Sequence, residues 1–285
     1  MAKPKGLVLY KFIINELNNM KILALETTGK YGSAAVLVSR DNSDISQKEL
    51  VCSDHKIYNV SSSNEMNHLQ DIISITDSAL HLAGIGKADL THIACSVGPG
   101  SFTGIRIGVT TARTLAQFLN LPTVPVSTLL AMAERCSRTA TLNNCPLILA
   151  TINARRHQTY AGIWHTELKK DNLKIELLEY SPEKQYMIEE ILDIAKQSGE
   201  KIFITGDGID AYREIIESTL PAGTFVLADE SLRYQSAESI ATVALELAKS
   251  DNTLCYDKLI PNYMRLSEAE QNLQAGTLSS KITKL

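Results

Sequence analysis

Hydrophobic positions in this chain fall into short runs separated by glycine, proline or polar turns, and the runs alternate between two periods. "KILALETT" (21–28) and "SAAVLVSR" (33–40) have the length and content of buried strands, and "GKYG" between them reads as a hairpin turn. The polar stretch "CSDHKIYNVSSS" reads as part strand, part loop. Over 62–85, Leu69, Ile72, Ile73, Thr76, Ala79, Leu80 and Ala83 recur at helical spacing. A Ser or Asn supplies the cap of that helix, and Gly84 and Gly86 end it. Next come a strand (90–97), a glycine-rich turn, a helix from about Thr103 to Leu119, a short strand bracketed by prolines (121–127), and a helix starting at Thr128. A second set follows. Strands are expected over 146–155, 159–168 and 174–181, a helix over 183–199, a strand over 201–208, a helix over 209–218, a strand over 224–229 and a long helix over 237–250.

The order β-β-β-α-β-α-β-α therefore occurs twice, although residue identities do not repeat. Two strand-rich lobes, each led by a hairpin, predict an α/β, two-lobed, duplicated actin-like fold (ASKHA, ribonuclease H-like). By itself this order implies no activity. The expected divisions are an N-terminal extension (1–19), a first, partner-binding lobe (20–127), a second lobe (128–236), and a C-terminal helix packing back towards the first lobe with a tail (237–285). Residues 1–19 begin basic and then apolar, as a signal peptide does. Lys11 interrupts the apolar run and no small-x-small cleavage site follows, so the stretch reads as an extension or a short amphipathic helix.

The motif "SVGPGSFTGIRIGVTTARTLAQFL" (96–119) places Gly98, Gly100, Gly104 and Gly108 around a helix start. A phosphate loop is one reading, but Gly104 is followed by Ile105 rather than Lys, and the spacing misses G-x-G-x-x-G. A tight strand-to-helix turn explains Gly98-Pro99-Gly100, with Ser101 or Thr103 as the cap. Gly104, Gly108 and Ala112 fall at i, i+4 and i+8. They form a smooth ridge that lets a helix of the same lobe, or of another chain, come close.

Composition narrows the chemistry. The chain has 285 residues, 44% of them hydrophobic, and a formal charge of −4. It lacks the strongly basic balance of an unaided nucleic-acid binder. Five cysteines, with no C-x-x-C pair, fit a reduced, cytoplasmic protein, and Cys95 belongs to the core. No stretch is long and apolar enough for a membrane span. No two of the six histidines lie within four positions, so a helical metal pair is absent. His68 is expected on the exposed side of its helix. Among carboxylates, Glu26 (with Thr27 beside it) ends the first strand and Asp207 ends a strand of the second lobe. Together they suggest a nucleotide cleft between lobes, and an ATP-dependent phosphotransferase as an alternative function. Arg155, Arg156 and His157 form a small basic cluster, either an exposed turn or a contact for RNA or a partner.

"GPGSFTGIRIG", preceded by "KILALETT" and followed by "VPVSTLLAMA", closely resembles the TsaB (YeaZ) family, as do "NARRHQTY" and "PNYMRLSEAE". The likeness runs from about Lys21 to Gln271. It implies a non-catalytic, cytoplasmic relative of TsaD, the subunit that transfers threonylcarbamoyl to tRNA to make N6-threonylcarbamoyladenosine (t6A). It implies TsaD as heterodimer partner, the ATPase TsaE as a further partner, a homodimer in isolation, and tRNA met indirectly through the complex. It implies no catalytic residue, no metal and no cofactor in this chain, since ATP and a metal belong to the partners. TsaD holds its metal with an H-x-x-x-H pair, and the matching positions here are Thr128 and Met132; this makes a metallopeptidase a poor alternative. The resemblance places the partner seam on the two first-lobe helices, with His68, Asp71, Ile72, Ile75, Gly104, Gly108, Thr111 and Leu115 at or near it. Glu26 stands where the family commonly has aspartate, Asn153 and Gln158 where it often has Asp and Glu, and Arg113-Thr114 replaces a smaller pair.

Overall fold

The computed structural model describes residues 19–39, 55–65, 67–169 and 174–264. The extension expected at the N-terminus lies outside these residues up to residue 18. Apolar residues on alternate positions of two sheets build the molecule. In the first, β1 (Lys21–Glu26) pairs antiparallel with β2 (Tyr31–Ser39), and β2 with β3 (His55–Glu65). β1 also runs parallel to β4 (His92–Gly98), and β4 to β5 (Thr123–Ser127), giving the order β3-β2-β1-β4-β5. In the second, β6 (Leu147–Asn153) pairs antiparallel with β7 (Gln158–Leu168), and β7 with β8 (Ile175–Met187). β6 runs parallel to β9 (Ile202–Thr205), and β9 to β10 (Phe225–Leu227). Taken from its third strand, that sheet runs β8-β7-β6-β9-β10, the same order as the first. The duplication expected from element order is a duplication of topology, and the fold is the two-lobed α/β, actin-like one.

Period-two alternation divides each sheet into faces. Leu23, Leu25, Val36, Ile93 and Cys95 meet α1 (His68–Ala83) and α2 (Phe102–Leu119). Ile22, Ala24, Leu37, Val124 and Val126 meet α7 (Ala237–Lys249) on the other side. The second sheet is covered on one face by α4 (Ile188–Gln197) and α5 (Gly208–Thr219), and on the other by α3 (Thr128–Leu142). The covering helices cross over: α3 leaves the first sheet to pack on the second, and α7 leaves the second to pack on the first. A short α6 (Glu230–Arg233) precedes α7. Full burial of one Leu or Ile contributes roughly 1.5–3 kcal/mol, so these shared faces hold the lobes to their central helices.

Two expected boundaries move, at equivalent places. β3 runs to Glu65 and α1 begins only at His68, whereas the helix was expected from 62. β8 runs to Met187 and α4 begins at Ile188, whereas the helix was expected from 183. In each lobe the long second strand keeps pairing, Tyr31 with Glu65 and Gln158 with Met187, and ladder hydrogen bonds overrule local helix preference. Asn67 stands at the α1 N-cap position, but its amide donates to Asp71 Oδ1 (3.0 Å) and makes no cap bond. Gly84 closes the helix in the left-handed conformation, φ 68°.

Glu134 sits in the wall between α3 and α7. Burial, and then the charge of Glu238, push its carboxyl up to about 7; Arg135 and Lys174 pull it down and Glu246 adds to the rise. A carboxyl raised on folding favours the native state below the unfolded value near 4.5, and that contribution is lost as pH climbs through about 7. Glu134→Gln is therefore expected to match the wild type at pH 4–5 and to be more stable by about 2 kcal/mol at pH 8. Urea titrations at the two pH values check it, and equal midpoint differences at both would refute it.

Candidate functional site

The C-terminal ends of β1 and β4 meet the glycine-rich turn. Glu26 is wholly buried there: its Oε1 accepts bonds from the Thr28 amide (2.5 Å) and hydroxyl (2.6 Å). Burial raises its pKa, against the lowering effect first of Thr28 and then of the nearby Ser96 hydroxyl and Gly29 amide. Its Oε2 and the nearby strand's Ser96 Oγ have no hydrogen-bond partner among the described residues. Thr28 Oγ1 lies 3.4 Å from Thr128 Oγ1 at the start of α3. The carboxyl is enclosed by its own lobe, and Thr28 holds one of its oxygens.

Thr27 explains the glycines. It is fully buried, and its hydroxyl donates to the Gly104 carbonyl (2.7 Å). A Cβ on Gly104 would overlap the Thr27 carbonyl oxygen, and one on Gly108 would overlap its hydroxyl. The smooth ridge therefore receives the β1–β2 turn of its own lobe, and neither glycine faces outwards. Ser101 caps α2, accepting from the Gly104 amide (3.2 Å). Gly98 is passed closely by the tail: a Cβ there would meet the Asn262 carbonyl, and the Asn262 amide donates to Val97 O (2.8 Å). Tyr263 then stacks near Phe102 (4.8 Å between centroids) and accepts from Arg106 Nε (3.0 Å). The sequence offered no signal for this clasp beyond the glycines themselves.

The second lobe repeats the device. A Cβ on Gly206 would overlap the Thr151 carbonyl, and one on Gly208 would overlap the Thr151 hydroxyl. Asp207 between them accepts from the Asn153 amide (2.9 Å). Burial raises its pKa, the Asn153 bond opposes, and the charge of Asp210 adds to the rise. Glu26 and Thr27 are sealed in one lobe and Asp207 is tied to Asn153 in the other. Glu26 and Thr27 support the turn of the first lobe, and Asp207 the equivalent turn of the second.

The expected seam residues divide in the same way. His68 is buried, contrary to expectation. Its Nε2 lies 2.9 Å from Gly29 O, and its Nδ1 stands where a Cβ on Gly32 would collide. It braces the β1–β2 turn. Ile72 and Ile75 point into the first core with Gly104 and Gly108, since their helices need those positions against the sheet. Asp71 is half-buried and accepts from Ser62 Oγ (2.5 Å) and Asn67. Thr111 and Leu115 are half-buried, Leu115 against the core. Among what the two helices present to solvent are Leu69 (73% exposed), Ile73 (55%), Leu82 (57%) and Phe118 (87%), none of them in the expected seam.

Among the described residues, no group of three or more His, Cys, Asp or Glu side chains could hold a metal ion. Thr128 and Met132 are buried, the Met132 Cε close to where a Cβ on Gly206 would stand. Cys95 is buried and its thiol pushed up by burial, so it serves packing. No helix among the described residues is long and apolar enough to cross a membrane.

Residues 59–273 match the family model for TsaD, described as tRNA N6-adenosine threonylcarbamoyltransferase. The chain is similar to the tRNA threonylcarbamoyladenosine biosynthesis protein TsaB of Bacillus subtilis strain 168, at 29% identity over 72% of this chain and 82% of that one. It is similar to the protein of the same description from Escherichia coli strain K12, at 29% identity over 72% of this chain and 84% of that one. In fold it resembles YeaZ from Pseudomonas aeruginosa, with a TM-score of 0.66, 22% identity, and coverage of 86% of this chain and 99% of that one.

Proposed function

This chain belongs to the TsaD family, in its TsaB/YeaZ branch, and we propose that it is a non-catalytic subunit in t6A synthesis that binds and stabilises TsaD. The observation that carries the reading is the contrast between the candidate acids of the two lobes and the outer faces of the first-lobe helices. The acids that chemistry would need are sealed or engaged in supporting turns. The outer faces of α1 and α2, by contrast, present Leu69, Ile73 and Phe118 to solvent. Exposed aromatic and aliphatic side chains on rigid helices suit a partner surface, where such anchors dominate affinity. TsaD docks on this face, TsaE joins the pair, and tRNA reaches the chain through the complex. ATP and any metal belong to those partners, in the cytoplasm. A second copy of the chain covers the same face when TsaD is absent. The phosphotransferase alternative needs Glu26 and Asp207 open to one ligand, and the burial of Glu26 and the Asn153 bond to the half-buried Asp207 speak against it.

A reconstituted reaction tests this. TsaD, TsaE, unmodified tRNA, ATP and threonylcarbamoyl-adenylate are mixed with and without the chain, and t6A is read by nucleoside analysis. Omission is expected to abolish modification. Undiminished t6A without the chain would refute the reading.

A further inference from the structure

The β6–β7 hairpin tip carries a run of unusual backbone. Arg155, Arg156 and His157 have φ of 64°, 54° and 59°, three consecutive side-chain-bearing residues in the left-handed region. L residues visit that region singly, and glycine or asparagine would hold it with less strain. The surroundings fix the turn from several sides. Asn153 Oδ1 accepts from the Arg155 amide (2.8 Å), and the Gln158 amide donates to Arg155 O (3.0 Å). The Tyr212 hydroxyl reaches Asn153 Oδ1 (3.0 Å) and Gln158 O (2.9 Å), and the Ile188 amide donates to His157 O (3.0 Å). Strain that persists because its neighbours over-determine it points to a use for the side chains it displays.

Those side chains border an open hollow of about 880 Å³, lined by Asn153, Arg155, Arg156, His157, Tyr212 and Arg213 among others. Two of the acidic groups around it are held in arginine pairs. Asp210 is paired with Arg233 (2.5 Å), and Asp207 accepts from the Asn153 amide. Glu189 lies 3.9 Å from His157 Nδ1, and Glu217 is 3.4 Å from Arg213. Glu214 also borders the hollow. The His157 and Tyr212 rings lie 6.5 Å apart, tilted by 33°.

We propose that this turn is an RNA-contact site, with Arg155 and Arg156 taking adjacent phosphates of the tRNA backbone beside the His157 ring. The proposal rests on the t6A reading above and adds a direct contact to it. Guanidinium forks match phosphate oxygens, and neighbouring arginines on a fixed turn match the repeat of a backbone rather than one isolated anion. An acidic protein segment would also meet Asp210 and Glu214 in the lining, whereas a nucleic-acid backbone can touch the protruding turn alone. A free nucleotide would need a closed cradle of amides, whereas the Arg155 amide is already committed to Asn153. In a chain of net charge −4 such contact is local and weak, as suits a subunit that adds to a partner's grip.

The full chain is titrated with a labelled unmodified tRNA transcript at 50 and 200 mM salt, read by fluorescence anisotropy. Its double variant Arg155→Gly/Arg156→Gly is measured alongside, with a melting scan of each. The wild type is expected to bind more weakly at the higher salt. The variant is expected to bind about 10-fold more weakly at 50 mM, with a salt slope shallower by roughly 1.5, the share of two phosphates. Its melting temperature is expected to stay level or rise, since glycine relaxes the turn. Equal binding by the two proteins at both salts, or no tRNA binding by the wild type, would overturn the proposal. So would displacement of the tRNA by an equal phosphate concentration of ADP, which indicates a mononucleotide site. The omission assay keeps the readings apart: t6A formed without the chain counts against the subunit role, whatever the anisotropy shows.

Discussion

Gly104→Ala is expected to destabilise the protein by about 3 kcal/mol, lowering its melting temperature by roughly 6–10 °C. The added methyl would overlap the Thr27 carbonyl oxygen, a backbone atom that cannot rotate away. Moving the β1–β2 turn to make room would also break the bond from Thr27 Oγ1 to the Gly104 carbonyl. Gly108→Ala meets the Thr27 hydroxyl instead, a side-chain atom that can turn aside at the loss of that same bond, so its effect should be smaller. Gly84→Ala is the control. That residue has φ 68° with nothing within 4 Å of its Cβ position, so it measures left-handed strain alone, about 1 kcal/mol. Thermal scans of the three variants check the ranking. A Gly104→Ala protein as stable as the wild type would show that the ridge does not hold the turn.

Ile73→Glu combined with Phe118→Glu is expected to weaken pairing with TsaD by at least about 30-fold while leaving the monomer folded. Both side chains are exposed on the outer faces of α1 and α2, 55% and 87%, so charge there meets water in the free chain and disturbs stability little. In a complex the same carboxylates would be buried without partners, and loss of one apolar anchor alone removes 2 kcal/mol or more. Light scattering on the mixture with TsaD reads the loss of the heteromer, and circular dichroism of the variant alone reads its fold. A heteromer of unchanged affinity would move the docking face elsewhere.

The strands and their order were legible because they are short apolar runs bounded by turn residues. Leu23 and Leu25 against Ile22 and Ala24 already separate the two faces of β1. The helix starts were misplaced in both lobes for one reason. "SSSNE" and "EKQYM" are polar enough to open an amphipathic helix, yet each pairs with a long second strand that no local window contains. At the candidate site, the need for missing side chains at Gly104 and Gly108 was readable, but not what fills the space. A turn 77 residues earlier in the chain occupies it, and spacing within one helix cannot reveal that. His68 misled because its sequence neighbours Asn67, Gln70 and Asp71 are polar, whereas one helical position turns it under the hairpin onto Gly29. The basic cluster at 155–157 was visible as composition; its left-handed backbone was not, since no glycine marks it.

The claim at the centre of this account is that the chain serves t6A synthesis by binding and not by chemistry. The direct measurement is the rate of t6A formation in the reconstituted reaction as the concentration of the chain rises. Wild type and Glu26→Gln are expected to reach the same plateau. Ile73→Glu/Phe118→Glu is expected to need at least about 30-fold more protein to approach it. A Glu26→Gln chain that folds and binds TsaD normally, yet gives a much lower plateau at saturation, would contradict the account and make the buried carboxyl a participant in the reaction.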